Sequence, residues 1–239
     1  MPQTRSEKVV GIIGGMGPEA TVDLMQRIIR LTPAADDIDH IRCIVDNNPK
    51  VPSRIKAIIE GNGESPAPCL AEMARKLEAW GADFLVIPCN TAHHYYEDVQ
   101  SAVRVPVVNL IELTVRSIVA AVPGVRAVGL LASPAVRMTG LYEKRFESHG
   151  VEVVYPGPFD QERLFALIKD IKAGVRSEDL NDALREIASR IASQGAEVLI
   201  IACTELSALG ELGFAQPTFD AAELLAREIV AVVKDGKQP

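Results

Sequence analysis

Short apolar runs alternate with amphipathic stretches along most of this chain. Residues 9–13 (VVGII) form a strand-like run that stops at Gly14-Gly15, and apolar positions then return at helical spacing from about Glu19 to Leu31. Further short runs lie at 84–87, 107–108, 127–131, 151–154 and 198–201, each flanked by turn residues or by helical periodicity such as that of 71–80. Strands alternating with helices predict an α/β fold whose sheet is mainly parallel, with helices on both faces.

The pattern is written twice. Residues 81–89 (GADFLVIPC) align with 195–203 (GAEVLIIAC), and 10–13 (VGII) with 128–131 (VGLL). In the preceding helices Leu70, Glu72 and Ala74 match Leu184, Glu186 and Ala188; downstream, Pro106, Glu112, Leu113, Arg116 and Ile118 match Pro217, Glu223, Leu224, Arg227 and Ile229. A period of about 110 residues is too long for a solenoid. It predicts two pseudosymmetric α/β lobes, 1–122 and 123–239, divided near Pro123-Gly124. The C-terminal helix is free to pack back on the first lobe.

Composition narrows the function classes. The chain has 239 residues, 48% apolar and 24% charged, as in a globular protein. No apolar run approaches the roughly 20 residues of a membrane span. The charged N-terminal stretch (Arg5, Glu7, Lys8) leads straight into a strand. A cytoplasmic protein without a membrane partner is expected. The net charge of −7 speaks against nucleic acid, while a cleft can still attract a small anion. The four cysteines, Cys43, Cys69, Cys89 and Cys203, have no CxxC spacing and are read as reduced thiols.

In each half a strand ends at a cysteine followed by polar residues: Cys89-Asn90-Thr91 and Cys203-Thr204-Glu205. Carboxyl ends of strands are where open α/β sheets bind ligands. A thiol at a helix start faces backbone N–H groups and the positive end of the dipole, which draws its pKa from about 8.5 toward neutrality. The same N–H groups, with Asn90, Thr91 and Thr204, suit a carboxylate. Two lobes facing each other would bring the thiols to a shared cleft from opposite sides. Inverting a carbon centre needs that geometry, with one group removing a proton from one face while a similar group supplies one to the other. Free cysteines usually just fill space, and Cys43 and Cys69 are read so. Matched position and polar neighbours set Cys89 and Cys203 apart.

Residues 11–21 (GIIGGMGPEAT), 47–54 (NNPKVPSR), 88–93 (PCNTAH) and 202–206 (ACTEL) resemble the aspartate/glutamate racemase family, and the likeness covers nearly the whole chain. The resemblance implies a two-lobed α/β fold with its site in the cleft between lobes, pyridoxal-independent two-base chemistry with no cofactor or metal, and a homodimer. It implies Cys89 and Cys203 as the catalytic pair, with Asn90, Thr91 and Thr204 receiving the α-carboxylate. Met16 and Asn47 lie in matching segments and are carried over as substrate-binding residues. Arg54 and Lys172, the latter in 171–174 (IKAG), are implied as basic residues framing the site. An acidic substrate has a second carboxylate for them, which a guanidinium can meet bidentately. Glu205 is read either as orienting Cys203 or meeting the substrate ammonium, or as an acid that merely stabilises a helix start. The expected substrates are acidic amino acids, aspartate first and glutamate second. One departure bears on specificity. Related sequences often carry Thr-x-Gly-Thr where this chain has Ser133-Pro134-Ala135-Val136, so a hydroxyl is lost at Val136 and a broader preference is open.

Other readings compete. A racemase or isomerase of another small acid, such as a hydantoin or maleate, is the nearest. Residues 15–20 (GMGPEA) fit the dinucleotide fingerprint G-x-G-x-x-A, with Asp36, Asp37 and Asp39 near the place of a ribose-binding acid, so an NAD-dependent dehydrogenase is the alternative from another class. Pro18 explains that turn as a first helical residue, and a nucleotide leaves the repeated cysteine without a role. His93 and His94 beside Cys89 raise zinc, but neighbouring histidines on a helix point apart and dense zinc motifs are missing. A two-lobed binding protein would share the cleft without needing paired thiols. Trp80 is read as core or interface packing.

Overall fold

The computed structural model describes residues 7–210 and 212–239; Arg5 lies outside them. The first half runs β1 (Val10–Gly14), α1 (Pro18–Leu31), β2 (Cys43–Asn47), α2 (Ala67–Trp80), β3 (Phe84–Val86), α3 (Tyr96–Gln100) and α4 (Leu110–Ala121). The second half begins with β4 (Ala127–Leu131), α5 (Pro134–Thr139), α6 (Glu143–Phe146), β5 (Glu152–Val154), α7 (Pro158–Lys172) and α8 (Glu178–Ser193). It closes with β6 (Val198–Ile201), α9 (Thr204–Ser207), β7 (Thr218–Asp220) and α10 (Ala221–Lys234).

The strands form two parallel sheets, ordered β2-β1-β3 and β5-β4-β6-β7. A parallel bridge between Leu85 and Val107 gives the first sheet its counterpart of β7. The α/β class expected from the apolar pattern is therefore the class adopted, in two lobes.

The repeat extends to backbone geometry. Gly81 and Gly195 end α2 and α8 in the left-handed region, both at φ 105°, where a side chain is disfavoured. The N–H of Leu85 donates to the Pro106 carbonyl and that of Leu199 to the Pro217 carbonyl, each at 2.9 Å. Gly11 and Gly129 occupy matched places on the central strands. A Cβ on Gly11 would stand 2.5 Å from the Leu85 side chain, 2.9 Å from Ala82 and 3.3 Å from Leu77 of α2; one on Gly129 would stand 2.4 Å from Ile191 of α8, 2.9 Å from Leu199 and 3.0 Å from Ala196. Helix and strand approach so closely there that only glycine fits.

Apolar side chains cover both faces of both sheets. Leu24 and Ile28 of α1 bury against Val10, Ile12, Phe84 and Val86, while Leu70, Met73 and Leu77 of α2 cover the opposite face. The second sheet is faced by α7 and α8 through Leu164, Ile168, Leu184 and Ile187, and on its other side by Tyr142 and Phe146. The last helix of each half crosses over. Ile111, Val115 and Ile118 of α4 pack with β4 and β6 while its Leu110 and Leu113 stay with the first core, whereas Leu225, Ala226, Ile229 and Val232 of α10 pack with β1, β3 and α1. Both helices start at a side-chain cap: Asn109 accepts from the N–H groups of Ile111 and Glu112, and Asp220 from that of Ala222.

Trp80 ends α2 and is 67% exposed, which excludes the core half of its expected core or interface role. No helix among the described residues is long and apolar enough to cross a membrane. Gly129→Ala is expected to force an added methyl into buried neighbours and to destabilise the protein by about 1–3 kcal/mol, read as a lower urea midpoint at unchanged slope. Alanine at Gly11 should cost a similar amount.

Candidate active site

Each thiol sits where a strand runs out. Beyond β3 the chain passes Pro88 to Cys89 and enters a 3-10 turn, Thr91–Tyr95; beyond β6 it passes Ala202 to Cys203, which caps α9. Both cysteines are 7% exposed. They line one narrow cavity of about 40 Å³ together with Met16, Arg54, Asn90, Thr91, Lys172, Thr204 and Glu205. Nine of the ten residues expected at a site are thereby brought together. The tenth, Asn47, is not among the lining residues and stands exposed at the end of β2.

The sequence reading missed Ser133, which also lines the cavity. Its signal was a serine at a strand's carboxyl end, just before Pro134 opens α5. The Ser133 and Thr91 hydroxyls lie 3.2 Å apart, one from each lobe. Val136 is fully buried in the second core and lines no part of the cavity, so the missing hydroxyl there leaves the cleft wall unchanged. Apolar wall is supplied by Ile55, Phe165 and Ile168.

Polar groups in the cleft differ in how far they are committed. The Tyr142 hydroxyl donates to Asn90 Oδ1 at 2.7 Å, fixing that amide, while its buried Nδ2 finds no partner among the described residues. The Thr204 hydroxyl donates to the Pro88 carbonyl at 3.3 Å, tying the two cysteine loops together and occupying its proton. Arg54 donates only to carbonyls, those of Pro52 at 3.1 Å and of Val51 and Met16 at 3.4 Å, and has no carboxylate partner among the described residues. Lys172, at the C-terminal end of α7, forms a 3.1 Å ion pair with Glu205 Oε1. Partial burial alone would lower its ammonium, but the Glu205 carboxylate leads the influences that outweigh it and hold it above its ordinary value.

Glu205 is 8% exposed, and its Oε2 accepts from the Cys203 thiol at 3.1 Å. Burial and then the Glu205 charge push the Cys203 thiol well above its ordinary pKa, with Lys172 opposing. This corrects the expectation that the helix start draws this thiol toward neutrality. A terminus of so short a helix does not offset the loss of water and a carboxylate in contact.

His93 holds a backbone and not a thiol. Its Nε2 accepts from the Leu110 N–H at 3.0 Å, so Nδ1–H donates to the Cys89 carbonyl at 2.9 Å. The ring pins the cysteine loop to the start of α4, and with both nitrogens engaged it has none left for zinc; His94 is exposed. The glycine turn has a similar local cause. A Cβ on Gly15, at φ +92°, would stand 2.2 Å from the Asn48 backbone, so glycine is required there without a nucleotide. Asp36 and Asp39 cap their own short turn. A larger cavity of about 840 Å³ opens elsewhere, beside Leu212, Gly213 and Phe214, and its lining has no cysteine. There Arg27, Arg30 and Arg227 are already paired with Asp220 and Glu223.

Comparison with known proteins bears directly on this geometry. Residues 13–233 match the Asp/Glu/hydantoin racemase family. The chain belongs to that family. A broad specificity amino-acid racemase of Bacillus subtilis (strain 168) is 32% identical over 230 residues, 93% of this chain and 97% of the relative. Among solved structures, the aspartate racemase of Picrophilus torridus is 31% identical with a TM-score of 0.81, covering 97% of this chain and 95% of its own. An aspartate racemase homologue from Pyrococcus horikoshii OT3 is 27% identical with a TM-score of 0.73, covering 95% and 99%. Membership places the chain among enzymes of the amino-acid racemase type, which are isomerases.

Burial lowers His93 to about 4. The unfolded chain takes up this proton near pH 6.5, so the stability contributed by neutral His93 is whole above pH 6.5 and is lost as pH falls toward 4, by up to about 3 kcal/mol. Urea midpoints should decline across that window, and less steeply in His93→Gln, which can donate and accept without titrating.

Proposed function

We propose that this racemase-family chain interconverts the L and D forms of acidic amino acids, aspartate before glutamate, by two-base proton transfer between Cys89 and Cys203 without a cofactor. The observation carrying this reading is the pairing of two equally buried thiols, one from each lobe, in a cavity that also presents an unsatisfied amide donor and an unpaired guanidinium. Asn90 Nδ2 and the N–H groups opening the turn after each thiol would receive the α-carboxylate, with Thr91 and Ser133 beside them. The Thr204 hydroxyl serves mainly to tie the loops. Arg54 would take the side-chain carboxylate, since Lys172 already faces Glu205. Met16 orients Arg54 through its carbonyl. Asn47 has no direct part in this arrangement. Cytoplasmic location, a homodimer and a division into 1–122 and 123–239 belong to the same reading.

The α-proton of an amino-acid zwitterion is very weakly acidic. Its removal needs a desolvated base and fixed donors near the carboxylate where negative charge develops; the buried thiols and the amide and N–H donors beside them support this reading. One thiolate takes the proton from one face while the opposite thiol delivers its own to the other. The carbon is inverted and the charges on the two sulfurs are exchanged.

A broader substrate range is the second reading. The Bacillus subtilis relative is named for broad specificity, and Ile55, Phe165 and Ile168 give the cavity an apolar wall.

Proton NMR of L-aspartate, L-glutamate and a neutral amino acid in D₂O, with reduced protein and chiral analysis of the products, ranks the substrates. Loss of the α-proton signal with appearance of the D form is expected for aspartate first; no exchange with either acid would overturn the reading. Cys89→Ser and Cys203→Ser should each lower racemisation by about 10²- to 10⁴-fold, and full activity in either excludes the two-base mechanism. Arg54→Ala should reduce kcat/KM for acidic substrates by about 10- to 100-fold while sparing neutral ones; equal losses would remove its assigned role.

A further inference from the structure

We propose that Glu205 is a positioning residue that keeps Cys203 protonated in the substrate-free protein, so that Cys89 is the thiolate of the resting pair. The proposal rests on the racemase reading for its catalytic meaning and adds which sulfur begins as base.

Glu205 Oε2 lies 3.1 Å from the Cys203 sulfur. An ionised carboxylate can only accept, so the hydrogen of this contact belongs to sulfur. The 3.1 Å ion pair from Lys172 to the other oxygen favours the ionised carboxylate. Gly17 closes over the same group, where an added Cβ would come within 3.6 Å of Oε1. Cys89 is placed differently. Its thiol has no hydrogen-bond partner among the described residues, and the position that Glu205 holds after Cys203 is held by Thr91 after Cys89.

Charge balance points the same way. The ionised side chains lining the cavity besides the thiols are Arg54 and Lys172, both cationic, and Glu205, anionic. Their surplus is one positive charge, which a single thiolate neutralises. A carboxylate in contact makes Cys203 the poorer place for it. Burial first, and the Glu205 charge after it, raise the Cys203 thiol. In the first turnover the Cys89 thiolate takes the α-proton from one face, the electron pair stays on the substrate, and Cys203 S–H gives its proton to the other face. Cys89 is then the thiol and Cys203 the thiolate, with Lys172 beside it. The reverse turnover or proton exchange with water restores the resting form.

Alkylation of the substrate-free, full-length protein tests this directly. Reduced protein is treated with limiting iodoacetamide near neutral pH, and the rates at Cys89 and Cys203 are read by peptide mass mapping. Both residues are 7% exposed, and each rate is normalised to that at a pH where both sulfurs are ionised, so the ratio compares thiolate populations. Cys89 should react about tenfold faster or more. In Glu205→Gln the carboxylate charge is gone and Lys172 is released, so the Cys203 rate should rise about tenfold and the preference should narrow or reverse. Equal rates in the wild type, or faster reaction at Cys203, overturn the proposal; so does a folded Glu205→Gln protein with an unchanged ratio. The wild-type comparison decides alone if the variant does not fold. Aspartate exchange on the same samples keeps the two ideas separable. Ordered alkylation without racemisation sinks the functional reading and leaves the proton placement standing, whereas racemisation with equal alkylation does the reverse.

Discussion

Neither half of this chain covers its own sheet completely. The apolar faces of β1 and β3 need α10, and those of β4 and β6 need α4, so each half donates its last helix to the other. Burial of apolar surface at roughly 25 cal/mol per Å² makes that exchange costly to undo. The lobes are consequently held at a fixed spacing, and the cleft between them is set by the same helices. Smaller ties finish the positioning: the Thr204 hydroxyl on the Pro88 carbonyl, and Thr91 against Ser133. The two sulfurs lining the cleft keep their separation through this packing.

Within the cleft, polar groups divide into those satisfied by the protein and those left for a ligand. Tyr142 and His93 are fully engaged, one fixing the Asn90 amide and the other the backbone at Cys89. Lys172 and Glu205 balance each other. Asn90 Nδ2 remains without a partner among the described residues, and leaving a buried donor unmatched is unfavourable; half-buried Arg54 donates to carbonyls and has no carboxylate partner among them.

Much of this was legible beforehand, for identifiable reasons. Gly11 and Gly129 recur because helix and strand cannot approach otherwise, and Gly81 and Gly195 because α2 and α8 end in the left-handed region. Residues fixed by geometry repeat in letter as well as in place, so the duplication showed. The helix exchange did not, since an amphipathic face does not say which sheet it will meet. Asn47 sat in a matching segment, yet it ends an outer strand and stays exposed. Val136 looked like a loss to the cleft and proved to be core. Glu205 could not be placed from sequence because its partners, Cys203 and Lys172, are close in space but only one of them is close along the chain.

The exchanged helices have a consequence for how such a chain could have arisen. A half-length polypeptide with this topology would bury the whole apolar surface of its terminal helix only by sharing it with a second copy, which favours a twofold dimer. Two identical sulfurs would then face each other among identical neighbours, with no physical basis for treating one differently from the other. Joining the copies into one chain lifts that symmetry. It permits threonine two positions after one cysteine and an acid two positions after the other, a distinction that a dimer of identical halves could not encode.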